Sequence, residues 1–215
     1  MQIEIIEVLK IVLLSLYVTF SATIIATTIG ILSSITIYLK KFRLKNYLIT
    51  LINALMSTPP VIMGLVVFLM LSKEGPLGGL KLLFTPTAMI IAQTLLLIPI
   101  AMSLTLDILN KFGKDILTTC KILQIDKRNT IKIFIKEISY NLVTVLVATF
   151  SRGISEVGAV MLVGGNIRCS TRVMTTYIAL STSMGDFDES LMIAAILLTI
   201  SITTTVLIKR LQRDI

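Results

Sequence analysis

The chain has 215 residues, 55% of them hydrophobic and 15% charged, with a formal net charge of +8 and a mean hydropathy of +0.93. Ordinary soluble domains carry about 25% charged residues. A soluble core of this size cannot hide so much apolar surface, so composition excludes that class and fits one membrane-embedded, all-α domain over 1–215. There is no histidine and there are two cysteines, Cys120 and Cys169, which argues against imidazole metal sites, His-dependent triads and a disulfide framework.

The N-terminal MQIEIIEVLK opens with Glu4 and Glu7 instead of a basic region, and the apolar run behind it is too long for a signal peptide, so the first span is expected to be retained. Charge-free windows follow at 11–39, 46–72, 82–106, 138–151 (continuing past one ion pair to 167) and 190–208. Each approaches or exceeds the ~20 residues a bilayer core requires, which predicts about five spans, with six possible. The first window would be ~43 Å long as a helix and must tilt or project.

Along that first span Ser15, Thr19, Thr23 and Thr27 recur every four residues, on roughly one helical face. They either line a polar path or, the preferred reading, bond back to the preceding turn and join helices. The linker 40–45 then holds Lys40, Lys41, Arg43 and Lys45.

The second window contains Ser57-Thr58-Pro59-Pro60 and Gly64, and the third contains Pro99. Proline frees backbone carbonyls that neighbouring helices, hydroxyls or water must satisfy, which places such helices inside a bundle or along a cavity; a packing kink without a transport role is the other reading. Between them, 72–86 is rich in Gly and Pro and predicts a loop with a short interfacial helix.

Residues 107–137 form a hydrophilic loop whose segment 111–137, KFGKDILTTCKILQIDKRNTIKIFIKE, carries seven basic and three acidic residues. This island, the 40–45 linker and the C-terminal Lys209, Arg210 and Arg213 together hold fourteen of the twenty basic residues. The positive-inside rule therefore predicts an external N-terminus and a cytoplasmic island and C-terminus. Topology also explains the basic excess better than nucleic-acid binding does.

In the fourth window Arg152 and Glu156 stand four apart, so on a helix they neutralise each other and point into the bundle. The pair either locks helices or subunits together or takes part in gating a path. Gly153, Ser155, Gly158 and Ala159 provide small surfaces around it, and the helix is expected to break at Gly164-Gly165-Asn166. Residues 166–189 then combine Arg168 and Arg172 with an apolar run, predicting a short helix against the bundle, followed by Asp186, Asp188 and Glu189.

No GxxxxGK[ST] phosphate loop is present, and the only ionisable groups within the spans besides tyrosine are Arg152 and Glu156, so an enzyme is not expected. A membrane scaffold that uses the basic island and an ion channel remain as readings from other classes.

The segment SRGISEVGAVMLVGGNIRCSTRVMTT (151–176) is similar to the R-x-x-x-E-x-G-A…GN signature of molybdate and tungstate permeases, and resembles the tungstate type most. The matching positions are Arg152, Glu156, Gly158, Ala159, Gly165, Asn166, Thr171 and Arg172, and the segments Pro59-Pro60…Gly64 and Gly75-Pro76-Leu77-Gly78 also resemble the family. The resemblance implies the permease subunit of a type I ABC importer, without a cofactor of its own, in a bacterial or archaeal plasma membrane. It implies a homodimer in the lipid bilayer, an ABC ATPase dimer that binds the ATP on the cytoplasmic side, and an extracytoplasmic oxyanion-binding protein.

The resemblance also assigns roles. A coupling helix over Thr118–Arg128 would meet the ATPase through Thr118, Thr119, Cys120, Leu123, Gln124, Ile125, Asp126, Lys127 and Arg128, with Thr118-Thr119-Cys120 and Gln124 departing from the family's E-A-A-x-x-x-G. The translocation path and its gate would involve Pro59, Pro60, Arg152, Glu156 and Gly158. Arg168, Arg172, Asp186 and Asp188 would dock the binding protein. Tungstate is the expected cargo, with molybdate or sulfate as alternatives.

Overall fold

The computed structural model describes residues 5–40 and 42–213; Lys41 and the side chains of Lys127, Lys209 and Arg213, named above for their charge, lie outside the described residues. All regular structure among the described residues is helical. The helices are α1 (Ile5–Leu39), α2 (Lys45–Met56), α3 (Pro60–Leu71), α4 (Pro86–Ile122), α5 (Lys127–Glu137), α6 (Ser139–Ile154), α7 (Gly158–Gly164), α8 (Met174–Met184) and α9 (Phe187–Arg213), with a single 3-10 turn at Gly78–Leu80 in the loop before α4. Among the described residues, three helices are long and apolar enough to cross a membrane, or up to five spans if each of two bent pairs counts as one.

The spine is the parallel pair α1 and α4. At 35 and 37 residues they extend for ~52 Å and ~55 Å, well beyond a ~30 Å hydrocarbon core. Thr85 starts α4 by accepting a bond from the Ala88 amide at 3.4 Å, with Pro86 in the first helical position, where a missing N–H costs nothing. Small residues let the backbones approach: a Cβ placed on Gly30 would stand 2.7 Å from the Ala101 Cβ, and one on Gly113 would stand 2.6 Å from the Tyr38 ring. Ser34 Oγ donates across the pair to the Met102 carbonyl at 3.0 Å.

Ser15, Thr19, Thr23 and Thr27 of α1 are all buried in this packing. Ser15 and Thr27 bond back to the carbonyls of Ile11 and Thr23, each at 2.7 Å, and Ser15 Oγ also accepts the Met174 amide at 2.8 Å. Ser15 and Thr27 thus follow the back-bonding, helix-joining reading, whereas Thr23 Oγ1 is buried without a partner among the described residues. α9 runs in the same direction as α1, with Ile193 near Ile11 at one end and Thr204 near Phe20 and Ile24 further on. Spans one, three and five thus point the same way, as five alternating spans require.

Within the span expected over 46–72 the prolines make a sharp break. α2 and α3 are bent by 97°, and each is 12 residues long, ~18 Å and too short to cross alone. The cause is the double proline: Pro59 is extended at φ −58°, ψ 129°, as a residue preceding proline prefers, and Pro60 opens α3 at its first position. A second bend of 72° separates the α5 segment from α6.

Candidate functional site

The two interrupted regions meet. α6 ends at Ile154 and α7 begins at Gly158, so the expectation of one helix carrying Arg152 and Glu156 through to Gly164 is corrected. Gly153 weakens the helix locally, and Ser155 Oγ donates to the Arg152 carbonyl at 3.0 Å, competing for an acceptor the ladder would use. The expected second break is present: Gly165, at φ 70°, is the left-handed cap of α7.

The ion pair survives the break because the turn brings residue 156 back beneath α6. Arg152 Nη1 donates to Glu156 Oε2 at 2.8 Å, while Glu156 Oε1 accepts the Ala159 amide at 3.2 Å. Thr175 Oγ1 donates to the Glu156 carbonyl at 2.8 Å, tying in α8. The glutamate side chain is 2% exposed and the arginine 36%. A charge so buried persists only when paired and hydrogen-bonded, and both carboxylate oxygens here are engaged.

α3 packs against the start of α7. A Cβ on Gly158 would lie 2.7 Å from Val61 Cγ2, and one on Gly64 would lie 2.6 Å from the Ala159 Cα. The structure therefore gathers Pro60, Glu156, Gly158 and Arg152 around one junction, with Ser57, Pro59 and Ser155 exposed beside it. Irregular backbone at membrane depth is tolerated where protein buries it or where it lines a watery cavity, which suits a translocation path. Sequence reasoning missed Gln93, whose Nε2 donates to the Gly153 carbonyl at 2.5 Å and to Thr19 Oγ1 at 3.4 Å. The available signal was a single amide side chain within the charge-free window 82–106.

At the island end, α4 runs ~23 Å beyond Asp107, its first charged residue. The single helix expected over Thr118–Arg128 is not formed. Thr118, Thr119 and Cys120 belong to the last turns of α4, Leu123–Asp126 is a turn with Gln124 at φ 50°, and Lys127 and Arg128 begin α5. The reason is a strong start signal: Asp126 Oδ2 accepts the Arg128 amide at 3.2 Å and Oδ1 accepts Asn129 Nδ2 at 2.6 Å. Ile122 and Leu123 at the turn are 75% and 63% exposed, whereas Cys120 is buried at 3%. Behind the turn, Leu39, Lys40, Leu117, Cys120 and Ile131 line a cavity of about 950 Å³. Phe134 of α5 is fully buried, edge-on to Tyr38 at 5.9 Å, and fixes the tip to the spine.

At the opposite end Arg168 and Arg172 do come together, around Glu7 of α1. Arg168 holds the carboxylate through Nε at 2.9 Å and Nη2 at 2.6 Å, and Arg172 Nη1 stands 3.6 Å away. Asp186 and Asp188 are exposed at the start of α9. Arg172 also lies over the Tyr177 ring at 5.6 Å, and the Tyr177 hydroxyl donates to the Glu189 carboxylate. Burial, and then the Glu189 hydrogen bond, push the Tyr177 hydroxyl above its ordinary range.

Residues 26–215 match the family model described as the binding-protein-dependent transport system inner membrane component. The chain is 44% identical over 208 residues to a tungstate uptake system permease protein of Peptoclostridium acidaminophilum, covering 97% of this chain and 91% of that one. It is 31% identical over 173 residues to the protein of the same description from Campylobacter jejuni, covering 80% and 72%. With interrupted spans meeting at a charged junction and a family match over most of its length, the chain belongs to the inner membrane components of binding-protein-dependent transport systems.

Proposed function

We propose that the chain is the membrane subunit of an ABC importer for a tetrahedral oxyanion, with tungstate as the cargo. Two copies would enclose the path, a cytoplasmic ATPase dimer would bind at the island end, and an extracytoplasmic binding protein would deliver the anion at the Glu7 end. The observation that carries this reading is the junction of α3 and α7, where two span interruptions adjoin a buried, paired Glu156 and a partly exposed Arg152. The tungstate assignment draws on the description of the relative that is 44% identical over nearly the whole chain.

Energy must come from outside the chain. Moving a dianion into a negative interior costs about 4.6 kcal/mol per 100 mV before any gradient, and the sequence has no phosphate loop to bind ATP. ATP-driven closure of the ATPases would act on the α4–α5 turn and rock the spans between inward- and outward-open states. The basic linker, island and C-terminus favour the cytoplasm by the positive-inside rule. In this orientation the exposed Ile122 and Leu123 face the ATPase.

The test is uptake of radiolabelled tungstate into proteoliposomes that contain the permease and its ATPase, with the binding protein added outside. ATP-dependent, vanadate-sensitive uptake is expected. Ion flux without nucleotide would establish a channel instead, and purification without any ATPase would establish a scaffold. Titrating the binding protein with tungstate, molybdate and sulfate decides the cargo.

A further inference from the structure

The α6–α7 interruption is held by a residue on a different helix. Gln93 sits in α4, 1% exposed, and its Nε2 donates at 2.5 Å to the Gly153 carbonyl, the same acceptor that takes the Glu156 amide at 3.0 Å. In an unbroken helix that carbonyl would receive the Val157 amide, and Ala159 N would bond to the Ser155 carbonyl. The Ala159 amide bonds instead to Glu156 Oε1 at 3.2 Å. Occupying the Gly153 carbonyl from the side thus favours the interrupted form, in which Glu156 bridges Arg152 and the start of α7.

Packing alone does not explain an amide here. Gln93 Oε1 is buried without a hydrogen-bond partner among the described residues, and such an oxygen at membrane depth carries a cost that an apolar side chain of the same length avoids. The Nε2 donor is the compensating feature. The fit is close: a Cβ on Gly153 would stand 3.1 Å from that nitrogen and 3.2 Å from Thr19 Cγ2.

We infer that Gln93 is a positioning residue for transport, its side-chain amide fixing where α6 stops and so placing Arg152 and Glu156 for the conformational cycle. This rests on the importer reading, and wild-type proteoliposomes test that reading separately.

The test compares Gln93→Met with wild type in the reconstituted permease–ATPase complex, measuring tungstate uptake, ATP hydrolysis and thermal stability. Methionine preserves length and removes the donor. The expected result is an assembled complex with Tm within a few degrees of wild type, ATP hydrolysis within about twofold, and uptake reduced at least tenfold, so that each ATP moves less anion. Gly153→Ala, which crowds the same nitrogen, should lower the same ratio, while Thr94→Val, a buried polar change elsewhere on α4, should leave it unchanged. Wild-type uptake in Gln93→Met overturns the inference. A parallel loss of uptake, hydrolysis and Tm in both Gln93→Met and Gly153→Ala also overturns it, since that marks a purely structural contact. Absence of ATP-driven uptake in wild type would overturn the importer reading itself.

Discussion

Gly64 of α3 and Ala159 of α7 are packed backbone to backbone, so that a Cβ on Gly64 would stand 2.6 Å from the Ala159 Cα and 3.1 Å from its carbonyl oxygen. Both neighbours are main-chain atoms, which cannot rotate aside. Gly64→Ala must therefore separate the two half-span helices at the junction, at a cost of about 1–3 kcal/mol for overpacking. Uptake should fall at least tenfold and Tm by several degrees, read by transport assay and by thermal unfolding in detergent. Gly79→Ala, at a position with nothing within 4 Å, is the control. If the two variants behave alike, the close approach has no consequence.

Arg152 and Glu156 are unequal partners. Glu156 is 2% exposed and Arg152 36%, so removing the arginine leaves a buried carboxylate uncompensated, whereas removing the glutamate leaves a cation that can reach water. Arg152→Leu should destabilise by about 3–5 kcal/mol, and Glu156→Gln, which keeps an acceptor for the Ala159 amide, by less. Both leucine variants should abolish uptake. Normal uptake by either one at normal expression would remove the pair from the mechanism, and equal Tm values for Arg152→Leu and Glu156→Gln would refute the asymmetry.

The same junction marks how far sequence reasoning reached. Spans could be counted because charge-free windows follow directly from bilayer thickness, and Arg152, Glu156, Pro59 and Pro60 stood out because charges and prolines are anomalies inside such windows, while grouping them with Gly158 rested on the family resemblance. The 97° bend between α2 and α3 was not legible, since Pro59-Pro60 is compatible with a kink or a break and tertiary packing decides between them. Gln93 was hidden because its significance lies in a bond to a residue 60 positions away. The island misled for a different reason: the single helix over 118–128 was carried over from the family resemblance, whereas in this chain the Asp126 cap starts a second helix after a turn. Arg168 and Arg172 were read as open to a partner because Glu7, 161 residues from Arg168, cannot be paired with them by spacing.

Tyr177 links the stability of the fold to alkaline pH. Its hydroxyl is held above the ordinary tyrosine range by burial and then by donation to Glu189. A raised folded-state pKa means that the folded protein holds this proton more tightly than the unfolded chain. The resulting stability is complete below the unfolded value of about 10 and is lost as pH rises through the higher folded value. Tyr177→Phe should therefore be less stable at neutral pH, by about 1.5–3 kcal/mol for a hydrogen bond to a charged group, and should lose less on going to alkaline pH. The measurement is Tm against pH from 7 to 11. Parallel curves for the two proteins would show that the Tyr177–Glu189 contact carries no linked proton.

The α4–α5 turn is where the proposed ATPase contact can be tested apart from folding. Ile122 and Leu123 are 75% and 63% exposed, so replacing Leu123 with Asp should change stability by no more than about 0.5 kcal/mol. If the ATPase covers this turn, the same change removes about 1.5–3 kcal/mol of apolar burial from the interface and adds a desolvation cost. Leu123→Asp should then weaken ATPase binding by at least tenfold, measured by co-elution and by titrating the ATPase onto permease in nanodiscs, with Tm of the isolated permease unchanged. Asp126→Ala is expected to differ in kind: it removes the cap of α5, costs about 1 kcal/mol locally, and should loosen the turn without removing its apolar surface, giving a smaller loss of affinity. Undiminished binding by Leu123→Asp would place the ATPase contact elsewhere on the island, and the buried Phe134 that anchors α5 to α1 would then be a structural feature alone.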